Sequence, residues 1–294
     1  MSYTLDLYFE PAVRRERLLE HFAARRHFSI KKDDVLYNNE DSGVYFFLRL
    51  RHARNIMFQR TVVSTEFEIN YCRPSYFGIE AEMELSTLMN AFQPRVEDPQ
   101  MRGMGEGPYS REGFLSGWNF GNVICVQGGV SGKHSFKSMP ADELRAAWEW
   151  NYELAERQRN TSLFVPMIMF FRIEGRPRRV IVWGEGMPAL LPRVDHVLVG
   201  RIVSGERRFG LASWSEVVEL AKRAGFDTTT NPLKLAYLVT PPPIADWVAN
   251  RPLIDFEALE RLSADEILDD ELIAEARDLE TKVISDSSDA RGME

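Results

Sequence analysis

Cysteine is nearly missing from this sequence: among 294 residues only Cys72 and Cys125 carry thiols, far apart and outside any CxxC spacing. A chain of this length builds a core without cross-links, and isolated thiols suit a reducing compartment. The expectation is a disulfide-free protein whose two cysteines are small buried apolar groups. Histidine is almost as scarce. His21, His27, His52, His134 and His196 form no HxH or HExxH pair, so neither a metal site nor a cofactor is expected from them. Long apolar runs are missing as well. None approaches the roughly 18 residues that cross a bilayer, and the longest, Phe164 to Ile173, contains Pro166 and Arg172. The opening MSYTLDLYFEPAVRRERL has Asp6 and Glu10 where a signal peptide needs its apolar stretch. A cytoplasmic protein without a membrane partner is the expectation.

A basic excess is also lacking. The 44 Asp and Glu outnumber the 36 Lys and Arg, for a net charge of −8. The imbalance is local: from Asp255 onward 14 acidic residues face 4 basic ones, while the first 254 residues are near neutral. Phosphates would be repelled by such a segment, so nucleic acid is not an expected partner. A basic protein is permitted. Oligomeric state is not specified.

What is present is a mixed α+β pattern. Tyr3, Leu5 and Leu7 alternate as in a strand, and Val13, Leu18, Leu19 and Phe22 make a helical stripe after Pro11. Strand signals return at Phe28–Tyr37, turn through Asn38–Gly43, and continue with Val44, Phe46, Leu48 and Leu50 on one face. Thr65, Phe67, Ile69 and Tyr71 alternate with Glu66, Glu68 and Asn70; a helix from about Gly78 carries Leu85, Leu88, Met89 and Phe92 until Pro94. This order predicts a helix-backed antiparallel sheet, a ferredoxin-like variant, over residues 1–100. A helical bridge with a glycine-rich loop follows over 101–162, including a helix from Ala141 to Arg159. A second α+β unit covers 163–254, with strands at Val165–Ile173, Val180–Trp183, His196–Val203 and Leu235–Val239. Ser213 and Glu216 make a capping box, Gly225 ends that helix, and Pro241–Pro243 terminate the last strand. An acidic helix over 255–294 starts at Ser263 with Leu268, Leu272, Ala276 and Leu279 on one face.

No motif for chemistry is complete. Gln127–His134 (QGGVSGKH) has Gln where a phosphate-binding loop needs its first glycine, and His where it needs Ser or Thr, so a flexible connector is expected. Gly103, Gly105 and Gly107 are too closely spaced for a dinucleotide fingerprint. No GxSxG elbow is present. Arg172, Arg176, Arg178 and Arg179 bracket a turn without interleaved aromatics and read as a solvated face. The stretch richest in recognition-type residues runs from Asp98 to Asn122. There Tyr109 and Trp118 are candidate anchors, and Asp98, Gln100, Asn119 and Asn122 candidate orienting groups. The alternative is that the amides satisfy loop backbone and Trp118 fills a core. Asp265, Glu266, Asp269, Asp270 and Glu271 are the candidate acidic contacts of the C-terminal helix.

The runs DPQMRGMGEGPYSREGFLSGWNFGN (Asp98–Asn122) and VIVWGEGMPALLPRVDHVLVGR (Val180–Arg201) resemble uncharacterised bacterial proteins. Some of these are similar to immunity proteins carried beside secreted toxins of type VI and other polymorphic systems. The resemblance implies an intracellular binding protein that neutralises a basic effector by occlusion, and it transfers no site residue. Two other classes stand beside it. One is an enzyme with a pocket between the two α+β units near Asp98, Tyr109, Trp118 and Asn119. The other is an assembly protein that oligomerises through the C-terminal helix.

Overall fold

The computed structural model describes residues 1–52, 61–184 and 187–291; the side chains of 106–107 and 282–291 are not described. The elements begin with β1 (Ser2–Arg14), α1 (Arg15–Ala23), β2 (Phe28–Lys31), β3 (Asp34–Asn39), β4 (Val44–His52) and β5 (Thr61–Asn70). Then come α2 (Tyr76–Phe92), β6 (Arg95–Glu97), β7 (Glu106–Gly107), α3 (Arg111–Ser131) and β8 (Lys137–Met139). Next are α4 (Ala141–Tyr152), α5 (Leu154–Arg159), β9 (Met169–Ile173), β10 (Arg176–Gly184), β11 (Ala189–Leu191), β12 (His196–Val203) and β13 (Glu206–Ser213). The last are α6 (Trp214–Arg223), β14 (Leu233–Leu235), α7 (Pro242–Asn250), β15 (Arg261–Leu262), β16 (Ile267–Asp269) and α8 (Asp270–Arg291).

The chain divides into two compact units, and the division differs from the four segments expected. Residues 1–141 and 265–294 form the first unit, and residues 142–264 form the second. The expected bridge is therefore split between them, and the acidic C-terminal segment belongs to the first.

The first unit is built on a sheet ordered β2-β3-β4-β5-β1-β6-β7, with antiparallel neighbours throughout. Its β4-β5-β1-β6 part, with α1 and α2 in the connections, is the ferredoxin-like arrangement, extended at both edges. Alternation decides which face is buried. Tyr3, Leu5, Leu7, Val35, Phe46, Leu48, Phe67 and Ile69 all point inward and are at most 2% exposed. Beneath them α2 contributes Leu85 and Leu88, and α3 contributes Phe114 and Trp118. Close packing leaves no room at Gly78: a Cβ there would stand 2.5 Å from the Trp118 ring. One carboxylate shares this core. Glu80 accepts from Tyr37 (2.7 Å), Asn39 (2.8 Å) and Ser42 (3.0 Å), which offset the cost of its burial.

Four expectations are corrected in this unit. The cysteines are not free: Cys72 and Cys125 form a disulfide with a Cα–Cα distance of 5.9 Å. They are distant in sequence, but α3 passes the turn after β5, where Cys72 has a left-handed φ of 57°. The glycine-rich run Gln127–Ser131 is no loop but the last turns of α3. Gly129 is required there by Phe136, whose ring would lie 2.4 Å from a Cβ. The C-terminal segment does not start as a helix at Ser263. A 3-10 turn (Ala264–Glu266) leads into β16, which pairs in parallel with β8, and α8 begins only at Asp270. Its apolar stripe is covered within the unit: Leu268, Leu272, Ile273 and Ala276 pack on Val123 and Val126 of α3. These four residues are therefore covered within the unit.

The second unit has a sheet ordered β13-β12-β10-β9-β15, in which only β10 and β12 run parallel. Val180, Ile181 and Trp183 of β10 are fully buried, as a central strand covered on both sides requires. The Ser213–Glu216 capping box forms as expected, and Gly225 takes the left-handed φ of 85° just past α6. The helix expected from Ala141 to Arg159 is interrupted between Tyr152 and Leu154. The strand expected at Leu235–Val239 is β14 at Leu233–Leu235 instead, so Pro241–Pro243 end no strand; they lead into α7, since a proline lacking its N–H fits a first helical turn. Among the described residues no helix is long and apolar enough to cross a membrane.

Candidate contact surface on the first sheet

The helices of the first unit cover one face of its sheet, and the alternate residues of each strand form the other. On that outer face the strand register aligns ionisable residues into one row. Lys31 opposes Asp34, Asp34 opposes Arg49, and Arg49 opposes Glu66. Glu66 then opposes Asp6, Asp6 opposes Glu97, and Glu97 opposes Glu106. One row thus crosses all seven strands, and its second half is acidic.

Most members have compensating partners. Arg49 lies 3.5 Å from Asp34 and 3.4 Å from Glu66, Arg51 also contacts Glu66, and Arg95 contacts Glu97. The Arg95 guanidinium also covers the Tyr8 ring, 4.6 Å from its centroid. Asp6 differs: no described side chain makes a hydrogen bond or ion pair with it, although Glu66 and Glu97 stand on both sides. Partial burial pushes its carboxyl above the usual range; the Arg51 charge pulls it down, and Glu66 and Glu97 each push it up by less. Glu97 goes the other way, lowered by its bond to Arg95. Like charges directly opposite across strands destabilise a sheet, so an unpaired aspartate between two glutamates is a local cost of the fold.

The next row supplies apolar contact. Leu36 opposes Phe47, Phe47 opposes Glu68, and Glu68 opposes Thr4. Phe47 is 42% exposed on a strand whose other face is buried. Between these rows lies a groove of about 370 Å³ lined by Ser29, Lys31, Leu36, Phe47, Arg49 and Glu68, among others. The face therefore combines an exposed aromatic, a shallow groove and, further along the sheet, an acid without a direct partner.

The residues expected to bind a partner mostly hold the first unit together. Asp98 is 1% exposed and accepts from the Tyr3 hydroxyl (3.0 Å) and the backbone N–H groups of Gln100, Gly103 and Met104 (3.0–3.2 Å). Burial, then the Asp98 charge, drives the Tyr3 phenol far upward. The Gln100 amide bonds the Thr4 hydroxyl at 2.8 Å. Tyr109 donates to Glu82 at 3.1 Å, and burial followed by that carboxylate raises its phenol. Trp118 is fully buried, and its indole N–H has no partner among the described residues. Asn122 is buried and clamps Arg73, accepting from its N–H (3.2 Å) and donating to its carbonyl (2.7 Å). Asn119 is exposed one turn away on α3.

The acidic contacts divide in the same way. Asp269 is 3% exposed and accepts from the Ser75 N–H and hydroxyl, both at 2.7 Å. Asp265 lies 3.5 Å from Arg73, and Glu266 lies 2.6 Å from Lys137. Asp270 accepts from the Ala141 and Glu271 N–H groups (3.2 and 2.9 Å), while Glu271 is exposed. Asp98, Tyr109, Trp118 and Asn122 all lie in the first unit. Reading the sequence missed Asp6, Phe47 and Glu97. The alternation of Glu66 and Glu68 was the signal for the outer face, but their neighbours depend on pairing between distant strands.

Among the described residues, no group of three or more His, Cys, Asp or Glu side chains is placed to hold a metal ion. Comparison with protein-family models, with curated proteins and with solved structures finds no match to this chain. Fold and surface chemistry are thus the basis for a functional reading.

Proposed function

We propose that this protein is a binding protein that acts by contact, with the outer face of its first sheet as the contact surface. The observation that carries the reading is Asp6, a carboxylate without a direct partner between Glu66 and Glu97, on the same outer face as the exposed Phe47 two strands away. Fold and stability alone disfavour that arrangement, and departures of this kind cluster at functional sites. A lysine or arginine of a basic protein partner seated at Asp6 would turn the local cost into a favourable interaction. Phe47 and the groove beside it would supply the apolar anchor. The resemblance to immunity proteins gives this reading its specific form, occlusion of a basic effector toxin. It also implies a cytoplasmic location, although the disulfide removes the thiol argument for a reducing compartment.

The test begins with capture of the partner from the host, followed by affinity measurements with purified components. A close charge pair across an interface contributes about 2 kcal/mol, so Asp6→Asn is expected to weaken binding roughly thirtyfold. Phe47→Ala is expected to weaken it as well, and Glu271→Gln is not. Neutralisation of the partner's toxicity should fall in the same order. A partner held equally well by the wild type, Asp6→Asn and Phe47→Ala chains would remove this surface from the argument. Turnover of a substrate by the pure protein would remove the non-catalytic reading.

A further inference from the structure

The second unit contains a slot that the contact surface does not explain. On one face of its sheet Val182, Leu198 and Leu211 lie in one cross-strand row. In the next row Gly184 opposes Gly200, and Gly200 opposes Phe209. Two adjacent strands therefore carry no side chain in this row, and a slot of about 410 Å³ opens above them. Phe209 walls one side, Phe164 and Met187 line the slot elsewhere, and Val182 continues the floor. Beyond the glycines Ile202, 61% exposed, opposes Arg207 at the mouth.

These glycines are not there for backbone freedom, since neither has a left-handed φ. At Gly184 no tightly packed neighbour among the described residues demands glycine, since a Cβ there would meet the Met187 methyl at 3.5 Å. Gly200 differs: it is buried, and a Cβ there would stand 3.3 Å from the Phe209 ring, closer than side chains ordinarily pack, so Phe209 accounts for part of its choice. Glycine weakens a strand interior, and where it persists it often marks a close approach by a ligand or another backbone. The space is preserved at a cost to the sheet. The charged groups nearby are used differently. Arg201 donates to the carbonyls of Val248 (2.8 Å) and Ala249 and is committed to the fold. Arg207 is exposed and has no hydrogen bond or ion pair among the described residues. An apolar slot with one free guanidinium at its entrance is complementary to a flat apolar body ending in an anion.

We infer that this slot binds an aromatic carboxylate, its ring over Gly184 and Gly200 beside Phe209 and its carboxylate on Arg207. The probe is 1-naphthoate, titrated calorimetrically into the full chain, with 1-naphthalenemethanol as its neutral counterpart. Saturable binding of 1-naphthoate at one site per chain is expected. Gly200→Val should weaken both compounds at least tenfold, because the added methyls fill the slot. Arg207→Gln should weaken 1-naphthoate five- to tenfold and change 1-naphthalenemethanol less than twofold. Gly184→Val provides the same filling from the neighbouring strand, should Gly200→Val fail to fold by circular dichroism. The inference is overturned by any of three results. These are no saturation by 1-naphthoate, undiminished binding to the folded filled variant, or equal response of both compounds to Arg207→Gln.

Discussion

Deleting residues 265–294 should unfold the first unit rather than merely strip charge from its surface. In the deleted segment Ile267, Leu268, Leu272 and Ile273 are each at most 7% exposed, and Ala276 is fully buried. Burying a side chain of that size stabilises by about 2 kcal/mol, so the four large residues contribute roughly 8 kcal/mol. This is an upper estimate, because an unfolded chain also hides some apolar surface. Against it stands the whole stability of an ordinary domain, about 5–15 kcal/mol. The deletion also exposes Val123 and Val126 and removes Asp269 from Ser75. Urea titration followed by circular dichroism would read the effect. Leu272→Ala alone should cost about 2–5 kcal/mol, and the truncated chain should lose the first unit's cooperative transition. The double replacement of exposed Glu271 and Asp278 by their amides should change stability by less than about 0.5 kcal/mol. A truncated chain that melts with the full-length midpoint would refute the packing argument. It would return the segment to the purely electrostatic role its composition suggests.

Three further outcomes follow from the geometry. Asp6 has a raised folded-state pKa, so its favourable contribution belongs to the protonated form and is lost as pH rises through that value. Asp6→Asn should therefore stabilise the protein at pH 7 by about 0.5 kcal/mol, with the gain fading in calorimetric melts as pH falls through the raised value and gone once the usual aspartate range is passed. Glu216 behaves oppositely. Its bond to Arg251, with added bonds from Ser213, pulls it down to about 2, so its contribution is complete above the usual carboxylate range and disappears as pH falls toward that value. Because Glu216 is 45% exposed, Glu216→Gln should cost only about 1 kcal/mol at pH 7 and nothing below pH 2. Alkylation of the unreduced, denatured chain should find no free thiol by mass. Replacing Cys72 and Cys125 by serine should cost about 4 kcal/mol if closure of the 53-residue loop is the main effect.

The sequence was most readable where one strand or helix decides its own pattern. Tyr3, Leu5 and Leu7, and again Val44, Phe46, Leu48 and Leu50, alternate strictly, and all seven side chains are buried. The Ser213–Glu216 box is equally local, because both bonds span three residues. The failures concern what distant segments do to one another. Gln127–Ser131 has glycines that suggest a loop, yet α3 continues through them, and at Gly129 the glycine makes room for the Phe136 ring from beyond the helix. Ile267–Asp269 is too short to show a strand period, and only β8 beside it makes it one. Cys72 and Cys125 gave no spacing signal because a turn and a helix bring them together. The acidic row was hidden for the same reason. Asp6, Glu66 and Glu97 each look like an ordinary outward polar residue until the register puts them side by side.

The split composition of the first unit sets an order on biosynthesis. Its sheet is synthesised first, but the strand and helix that cover α3 emerge only after the whole second unit. At translation rates of about 5–20 residues per second, the interval is roughly 6–25 s. During that time Val123 and Val126 lack the neighbours that later bury them. The growing chain thus passes through a stage with exposed apolar helix surface, a natural point for a chaperone to hold it until the last segment leaves the ribosome.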